Sequence, residues 1–272
     1  MNCTAVEKII IHWLQSQLIR TKTNQKGFVI GISGGVDSAL VSTLCAKTGH
    51  PTIVLSLPIH QAKDQLKRGQ NHINWLKENF NNVDSEELDL TNAFENLKKS
   101  LNPIICDNPL SMANTRSRLR MTTLYAYAGH YKYLVTGTGN KIEDIGVKFF
   151  TKYGDGGVDL SPIGDLSKTQ VWELAKHVGV SDEIIKAKPT DGLWSDNRGD
   201  EDSIGATYPE LEWAMAYCEV NDIKYPMDAN NYLNSNLSGR EKQVLGIYLV
   251  KSFQGMHKMV PIPVCKIPQI IL

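Results

Sequence analysis

The sequence has no paired cysteines. Its five, Cys3, Cys45, Cys106, Cys218 and Cys265, are odd in number and scattered, and no Cys-x-x-Cys occurs. That argues against a disulfide framework and a cysteine zinc site, and it fits a reducing cytoplasmic setting. Net charge is also lacking: 29 Lys and Arg balance 29 Asp and Glu over 272 residues. A general nucleic-acid-binding surface is therefore not indicated. No apolar run approaches the ~20 residues of a membrane span. The first twenty residues carry Glu7, Lys8 and His12 among apolar ones, which reads as an amphipathic helix rather than a signal peptide. With no internal repeat, low-complexity tract or clean boundary in view, the chain is read as one domain over residues 1–272.

What is present is organised around one stretch, Gly31-Ile32-Ser33-Gly34-Gly35-Val36-Asp37-Ser38. The apolar run 27–30 before it predicts a short buried strand, and 39–47 after it predicts a helix ending near Gly49. A strand, a glycine turn and a helix N-terminus make an anion site. The first amide N–H groups of a helix lack intrahelical partners, and the dipole adds roughly half a positive charge there. Gly34 and Gly35 let a phosphate approach the backbone, while Ser33 and Ser38 add hydroxyl donors. Asp37 would repel phosphate by itself, and makes sense with a divalent cation between the two. The bland alternative is a Gly-rich turn with a serine cap. No Lys follows the glycines, so this is not the Gly-x-x-x-x-Gly-Lys-Ser/Thr loop. The stretch resembles the PP-loop of ATP pyrophosphatases, which split ATP into AMP and pyrophosphate.

Along the chain, residues 5–19 place Ile9, Ile10, Trp13, Leu14 and Leu18 at helical spacing, for the sheet or for a second subunit. Residues 52–57 predict a second strand stopped by Pro58, 61–80 a helix, 87–90 a third strand, and Thr91 the cap of a helix to 99. Residues 103–109 predict a loop, 111–129 a long helix and 131–136 a fourth strand. Strands separated by helices of this length predict an α/β fold, a Rossmann-like parallel sheet with helices on both faces. Ligands bind such sheets at the carboxyl ends of the strands. Two strands there run into small polar residues, Ser33-Gly34-Gly35 and Gly137-Thr138-Gly139-Asn140. Residues 151–164 predict a long loop, 166–179 a helix capped by Ser167, and 188–206 an irregular segment with the character of a mobile lid. Helices follow at 209–218 and 238–252, and the proline-rich tail from Pro261 is expected to be extended.

Seven motifs follow the glycine stretch in order. They are Asn114-x-Arg116-x-Arg118-x-Arg120-Met121, Gly137-Thr138-Gly139-Asn140-Lys141-x-Glu143, Phe150-Thr151-Lys152-Tyr153-Gly154-Asp155-Gly156-Gly157, Pro162-x-x-x-Leu166-x-Lys168-Thr169, Pro189-Thr190, Asp200-Glu201-x-x-x-Gly205-x-x-Tyr208 and His257-Lys258. From about residue 27 to 261 the series resembles the NAD synthetase family. The resemblance implies an adenine nucleotide alpha hydrolase-like fold. It also implies a reaction: ATP adenylates the nicotinate carboxylate of deamido-NAD, pyrophosphate leaves, and ammonia displaces AMP to give NAD. Such chemistry brings anions together, so cations and backbone donors should dominate the site.

The same resemblance implies roles for residues. Asp37 and Glu143 would hold Mg²⁺ and, with Lys168, form the catalytic set. Gly31, Ile32, Ser33, Gly34, Gly35, Val36, Asp37 and Ser38, with Thr138, Lys168 and Thr190, would contact ATP. Arg118, Lys152, Asp159, His257 and Lys258 would contact deamido-NAD. Read without the family, Glu143 is a solvated surface residue, Thr138 a turn hydroxyl and His257 unremarkable. A Lys in the first turn of a helix opposes the dipole, so Lys168 needs an anionic partner, read here as phosphate. Arg116, Arg118 and Arg120 lie on different faces of one helix and cannot all serve one ligand. Asp200 and Glu201 resemble an acidic pair in the family's mobile segment. The departures are Asp191-Gly192-Leu193-Trp194 in place of Ala-Asp-Leu, Ser56 where an Arg often precedes Leu-Pro, and Met259 where Arg is common. Glutamine-dependent members carry an added nitrilase-like domain that 272 residues do not accommodate, so ammonia is the expected nitrogen source. A homodimer is implied, with helices 5–19 and 111–129 as candidate contacts. The rivals are the ATP pyrophosphatase half of a GMP synthetase, a tRNA thiolase with paired cysteines and a basic face, and a nucleotide binder without catalysis.

Overall fold

Short apolar runs set the frame. The computed structural model describes residues 1–20, 24–190, 199–223 and 237–267. Its strands are β1 (Gly27–Gly31), β2 (Thr52–Ser56), β3 (Val83–Glu87) and β4 (Tyr133–Val135). They form one parallel sheet in the order β3-β2-β1-β4, with Val29 level with Ile53 on one side and Val135 on the other. Side chains alternate between faces along each strand. Phe28, Ile30, Val54 and Leu134 pack with one set of helices, and Val29, Ile53, Leu55 and Val135 with the other. Both faces are covered, which is why β1 and β2 read as continuous apolar runs rather than alternating ones.

On the first face lie α1 (Cys3–Arg20), α2 (Val36–Lys47), α3 (Lys63–Asn79) and α7 (Lys168–His177). Of the residues of α2, only Asp37 and Lys47 escape full burial. Enclosed on every side, this helix has no polar face. The other face is covered by α6 (Pro109–Tyr131) through Leu124, Tyr127 and Ala128. A second apolar cluster, with Ile142, Ile204, Tyr208, Leu211, Met215, Leu245 and Tyr248, joins α9 (Asp200–Ile204), α10 (Tyr208–Val220) and α11 (Gly239–Gln254) to a π-helical turn at Ile142–Gly146. The remaining helices are α4 (Thr91–Ser100), α5 (Pro103–Cys106), α8 (Asp182–Ile185) and α12 (Met256–Met259).

The expected parallel sheet with helices on both faces is present, with local corrections. The third strand is Val83–Glu87, not 87–90. It is an edge strand, so Asp84 and Glu86 are tolerated and the apolar signal is weak. Leu88 and Leu90 follow it, donating backbone N–H to Ser56 O and Pro58 O while their side chains join the core. Thr91 is not the cap of α4: Leu90 holds that position, and Asp89 Oδ1 accepts the Thr91 N–H at 2.8 Å. The expected loop at 103–109 contains α5, capped by Asn102. Asn108 caps α6 two residues earlier than expected, with Pro109 in the first turn. Tyr131 ends α6 rather than opening β4, because Lys132 turns the chain in the left-handed region (φ 58°). Part of the expected lid, with Asp191, Gly192, Leu193 and Trp194, lies outside the described residues. Among the described residues no helix is long and apolar enough to cross a membrane.

Candidate active site

In the sheet order, β1 has β2 on one side and β4 on the other, which makes the β1–β4 boundary the point where ligands of open α/β sheets bind. At that boundary β1 runs into the glycine stretch. Ser38 Oγ accepts from Ser33 N (3.2 Å), lies 3.1 Å from Ser33 Oγ and donates to Gly35 O (3.0 Å). These bonds fold the turn around the start of α2, whose cap is Gly35. Gly34 is required: its φ is +83°, and a Cβ there would stand 2.4 Å from Gln65 O. The eight residues Gly31 to Ser38 thus form one turn and the first helical turn, as expected of an anion cradle.

The second strand end is β4. Thr136 bridges to Leu160, and the chain then passes through Gly137, Thr138, Gly139 and Asn140 into the π-turn that carries Glu143. π-turns are rare and recur at functional sites. Asn140, fully buried, ties the two strand ends together: its Nδ2 donates to Asp37 Oδ1 (3.2 Å), and its Oδ1 accepts from the N–H groups of Ile142 and Glu143 (both 3.1 Å). Between Asp37 and Glu143 lies Lys168, the first residue of α7. Its Nζ is 2.6 Å from Asp37 Oδ2 and 3.0 Å from Glu143 Oε1. Only 2% of Lys168 is exposed. Ser167 and Gln170 cap α7 reciprocally and fix where that lysine starts.

Three groups distant in sequence therefore meet, as the motifs implied, but the ammonium faces carboxylates. Burial opposes its charge, and the two carboxylates outweigh burial, holding it well above the usual lysine range. Burial pushes the Asp37 carboxyl up, whereas Lys168 and the Tyr208 hydroxyl hold Glu143 down against its own burial. Next to it, burial and the charges of Glu143, Asp155 and Asp37 push the Asp144 carboxyl up to about 8. Among the described residues no group of three or more His, Cys, Asp and Glu forms a closed metal cage. Two partly buried carboxylates that already share a cation fit the oxygen donor set of Mg²⁺, which binds through one or two carboxylates and completes its shell with phosphate and water.

The residues expected for the dinucleotide gather mostly in one place. Arg118 Nε donates to Lys152 O (3.2 Å), Lys152 Nζ to His257 O (2.8 Å), and Lys258 Nζ to Lys148 O and Phe150 O (2.8 and 2.6 Å). This joins α6, the loop at 148–157 and α12. Asp155 anchors the loop on α6 by accepting from Ser117 Oγ (2.7 Å) and Thr151 N (3.0 Å). Asp159 is set apart, since Tyr125 OH and Val135 N occupy its two oxygens at 3.0 and 2.8 Å. The three arginines do diverge. Arg116 lies over the Phe94 ring at 5.4 Å, Arg118 reaches the loop, and Arg120 Nε donates to Leu57 O at 2.9 Å. The guanidinium of Arg120 thus stands at the end of β2, next to Ser56. Thr138 lies in the turn after β4. Thr190 ends a described stretch, next to Pro189, whose O accepts from Asp200 N (3.0 Å).

Two residues of the site were not singled out from the sequence. Asn140 was quoted within a motif and given no task, although an asparagine after Gly-Thr-Gly at a strand end is a turn-capping signal. Tyr208, 0% exposed, donates its hydroxyl to Glu143 Oε1 at 2.5 Å, and its ring lies 4.8 Å from Lys168 Nζ. Tyr208 closes the motif Asp200-Glu201-x-x-x-Gly205-x-x-Tyr208 and, like Asn140, carries no task there.

A parallel sheet with a serine-glycine turn feeding a buried helix, and carboxylates converging from a helix start and a second strand end, defines a Rossmann-like α/β protein built for a nucleotide. The comparisons with known proteins narrow the class. A family model described as NAD synthase matches residues 6–245. The NH(3)-dependent NAD(+) synthetase of Carboxydothermus hydrogenoformans is 38% identical over 209 residues, covering 75% of this chain and 81% of its own. Among solved structures, NMN synthetase from Francisella tularensis superposes with a TM-score of 0.78 at 28% identity, covering 99% of each chain. The NH3-dependent NAD synthetase from Campylobacter jejuni superposes with a TM-score of 0.75 at 22% identity, covering 98% of this chain and 100% of that one. The chain belongs to the NAD synthase family, a family of ligases.

Proposed function

We propose that this protein is an ammonia-dependent NAD synthetase that joins ammonia to the nicotinate carboxylate of deamido-NAD at the expense of ATP. Family membership supports the overall reaction. The observation that carries the assignment of the site is the convergence of Asp37, Glu143 and Lys168 beside the glycine turn. The first-turn amides of α2 and the hydroxyls of Ser33 and Ser38 receive the phosphates of ATP. Asp37 and Glu143 would hold Mg²⁺, which when bound screens phosphate charge. Lys168 supplies a cation that can turn from the carboxylates to phosphate. Thr138 and Thr190 are proposed as further ATP contacts. A carboxylate is a poor electrophile, and converting one of its oxygens into an AMP leaving group makes its carbon open to ammonia. The protein's task is to hold both anions in line and keep water out.

Arg118, Lys152, His257 and Lys258 form the proposed dinucleotide side, and Asp159, set apart with Tyr125, is proposed as a further contact of the same substrate. All lie on α6, on the loops after β4 and on α12, so the acceptor would approach from the end of the sheet opposite β3. A homodimer is proposed from apolar side chains left outside. Ile9 and Ile19 on α1 are 67% and 81% exposed, although Ile10, Leu14 and Leu18 face the core. Leu110, Tyr125 and Tyr131 on α6 are exposed as well. A cytoplasmic location is proposed from the free thiols of all five cysteines.

The test is incubation with ATP, Mg²⁺ and either deamido-NAD or nicotinate mononucleotide, with ammonium or with glutamine. NAD and AMP in equal amount from deamido-NAD and ammonium are expected. Amidation of the mononucleotide alone would move the protein toward an NMN synthetase like the Francisella protein. Absence of any amide product would overturn the reading.

A further inference from the structure

Among the described residues, Tyr208 is the aromatic residue whose hydroxyl reaches the carboxylate pair, through Glu143. It is fully buried at the start of α10, where Thr207 and Glu210 form a capping box and Arg240 on α11 locks Glu210 at 2.7 Å. Its hydroxyl has one hydrogen. That hydrogen goes to Glu143 Oε1 at 2.5 Å, while Asp200 Oδ2 stands at 3.4 Å. The same Oε1 accepts Lys168 Nζ. The ring is held edge-on by Trp172 at 6.1 Å, and Lys168 lies over it. The Tyr208 N–H donates to Glu201 Oε1 at 2.8 Å. Glu201 on α9 thus holds the backbone end of this tyrosine, and Asp200 stands beside its hydroxyl as the alternative acceptor.

A core tyrosine needs a partner for its hydroxyl, and a backbone carbonyl serves that need at no electrostatic consequence. Here the partner is a partly buried carboxylate, and the bond is charge-assisted. When Lys168 turns toward phosphate, Glu143 Oε1 loses one of its two donors and keeps Tyr208. The carboxylate then remains oriented by the phenol alone on that side. Such outer partners of metal-ligating carboxylates set both ligand direction and affinity.

We propose that Tyr208 is a positioning residue for Glu143, and that Asp200 and Glu201 act at the site through Tyr208. This rests on the proposed role of Glu143 as a metal ligand. The experiment is Mn²⁺ binding followed by electron paramagnetic resonance, on the full chain with α,β-methylene ATP, which cannot release pyrophosphate. Tyr208→Phe keeps the ring, its contact with Trp172 and its face under Lys168. It is expected to weaken Mn²⁺ binding about 10-fold, the lower end for loss of such a partner. Glu201→Ala, which frees only the backbone end, is expected to give a smaller loss in the same direction. Trp172→Phe disturbs the same packing without touching Glu143, and is expected to lower the melting temperature while leaving Mn²⁺ affinity at the parent value. Unchanged affinity in Tyr208→Phe, with a loss in Glu143→Gln, overturns this proposal and leaves the metal site standing. Equal losses in Tyr208→Phe and Trp172→Phe also overturn it, since packing alone would then account for the effect. Unchanged affinity in Glu143→Gln overturns both.

Discussion

Lys168→Met removes a buried cation from between two partly buried carboxylates and keeps most of the side-chain volume. The Lys168 ammonium is 2.6 Å from Asp37 and 3.0 Å from Glu143, and 2% of the residue is exposed, so water does not replace it. Removing one partner of a buried ion pair costs about 3–5 kcal/mol, because an uncompensated charge is left inside. For a chain of this size each kcal/mol moves the melting temperature roughly 2–4 °C, so the variant should melt about 6–20 °C lower near neutral pH. The sign with pH follows from the carboxylates. Without Lys168 the Asp37 carboxyl, already pushed up by burial, rises further and Glu143 loses the cation that holds it down, so the folded state holds extra protons and stability falls as pH rises through that window. The deficit should therefore be small at acidic pH and large above neutrality. A divalent cation can take the place of the lost charge. At a hundredfold excess over its dissociation constant it returns about 2.7 kcal/mol to the variant, and less to the parent, whose carboxylates are already paired. The assay is thermal unfolding across pH with EDTA or with MgCl₂. A variant within about 2 °C of the parent at neutral pH would refute the buried-charge argument. A variant that Mg²⁺ does not rescue would refute the pairing of Asp37 with Glu143 as a metal site.

Asp37→Asn and Glu143→Gln should each lower amide formation by about a hundredfold or more and raise the Mg²⁺ concentration for half-maximal rate, as expected when a carboxylate ligand becomes a neutral amide. Initial rates over a Mg²⁺ series check this, and parental rates in both variants would remove them from the site. Gly34→Ala places a methyl against Gln65 O in a left-handed residue. It should cost about 1–3 kcal/mol and weaken ATP binding, read by urea unfolding and by calorimetric titration. His72 is buried with Nε2 3.0 Å from Ser42 Oγ, and burial pushes its pKa down to about 4. Its neutral form therefore contributes stability that is fully present above the unfolded value of about 6.5 and is lost as pH falls toward 4. His72→Gln should flatten that part of the stability curve, measured by urea unfolding between those limits, and a slope identical to the parent's would count against it.

The fold was legible where burial is two-sided. β1 and β2 are apolar throughout and were placed within a residue, whereas β3 is a polar edge strand whose strongest apolar residues, Leu88 and Leu90, lie just beyond it. Helix α7 begins directly after Ser167, the cap expected from the sequence, although it spans Lys168–His177 rather than 166–179, and α11 spans Gly239–Gln254 where 238–252 was expected. In the site, the motifs implied which residues meet but not which way they point. Lys168 was read as a phosphate ligand from its unfavourable place in a first turn, yet the anions it faces are carboxylates supplied from residues 37 and 143. Only the tertiary arrangement reveals that. Asp159 was carried by resemblance, while the structure commits both its oxygens to Tyr125 and β4. Asn140 and Tyr208 owe their importance to a partner more than sixty residues away in each case, which no local pattern encodes.

Helix α2 is walled in by the sheet, α1, α3 and α7, and its first turn is the floor of the glycine cradle. Amide protons in its middle can meet solvent only when the whole fold opens, so they should be among the slowest to exchange. The helical floor of the cradle is thus anchored in the hydrophobic core behind it. Little conformational freedom is lost there when an anion arrives, and the affinity of that end is set by how well the ligand fits rather than by the ordering of the loop. Adaptation to a different acceptor is then free to occur in the loops after β4 and in α12, without disturbing the end proposed to hold the phosphates.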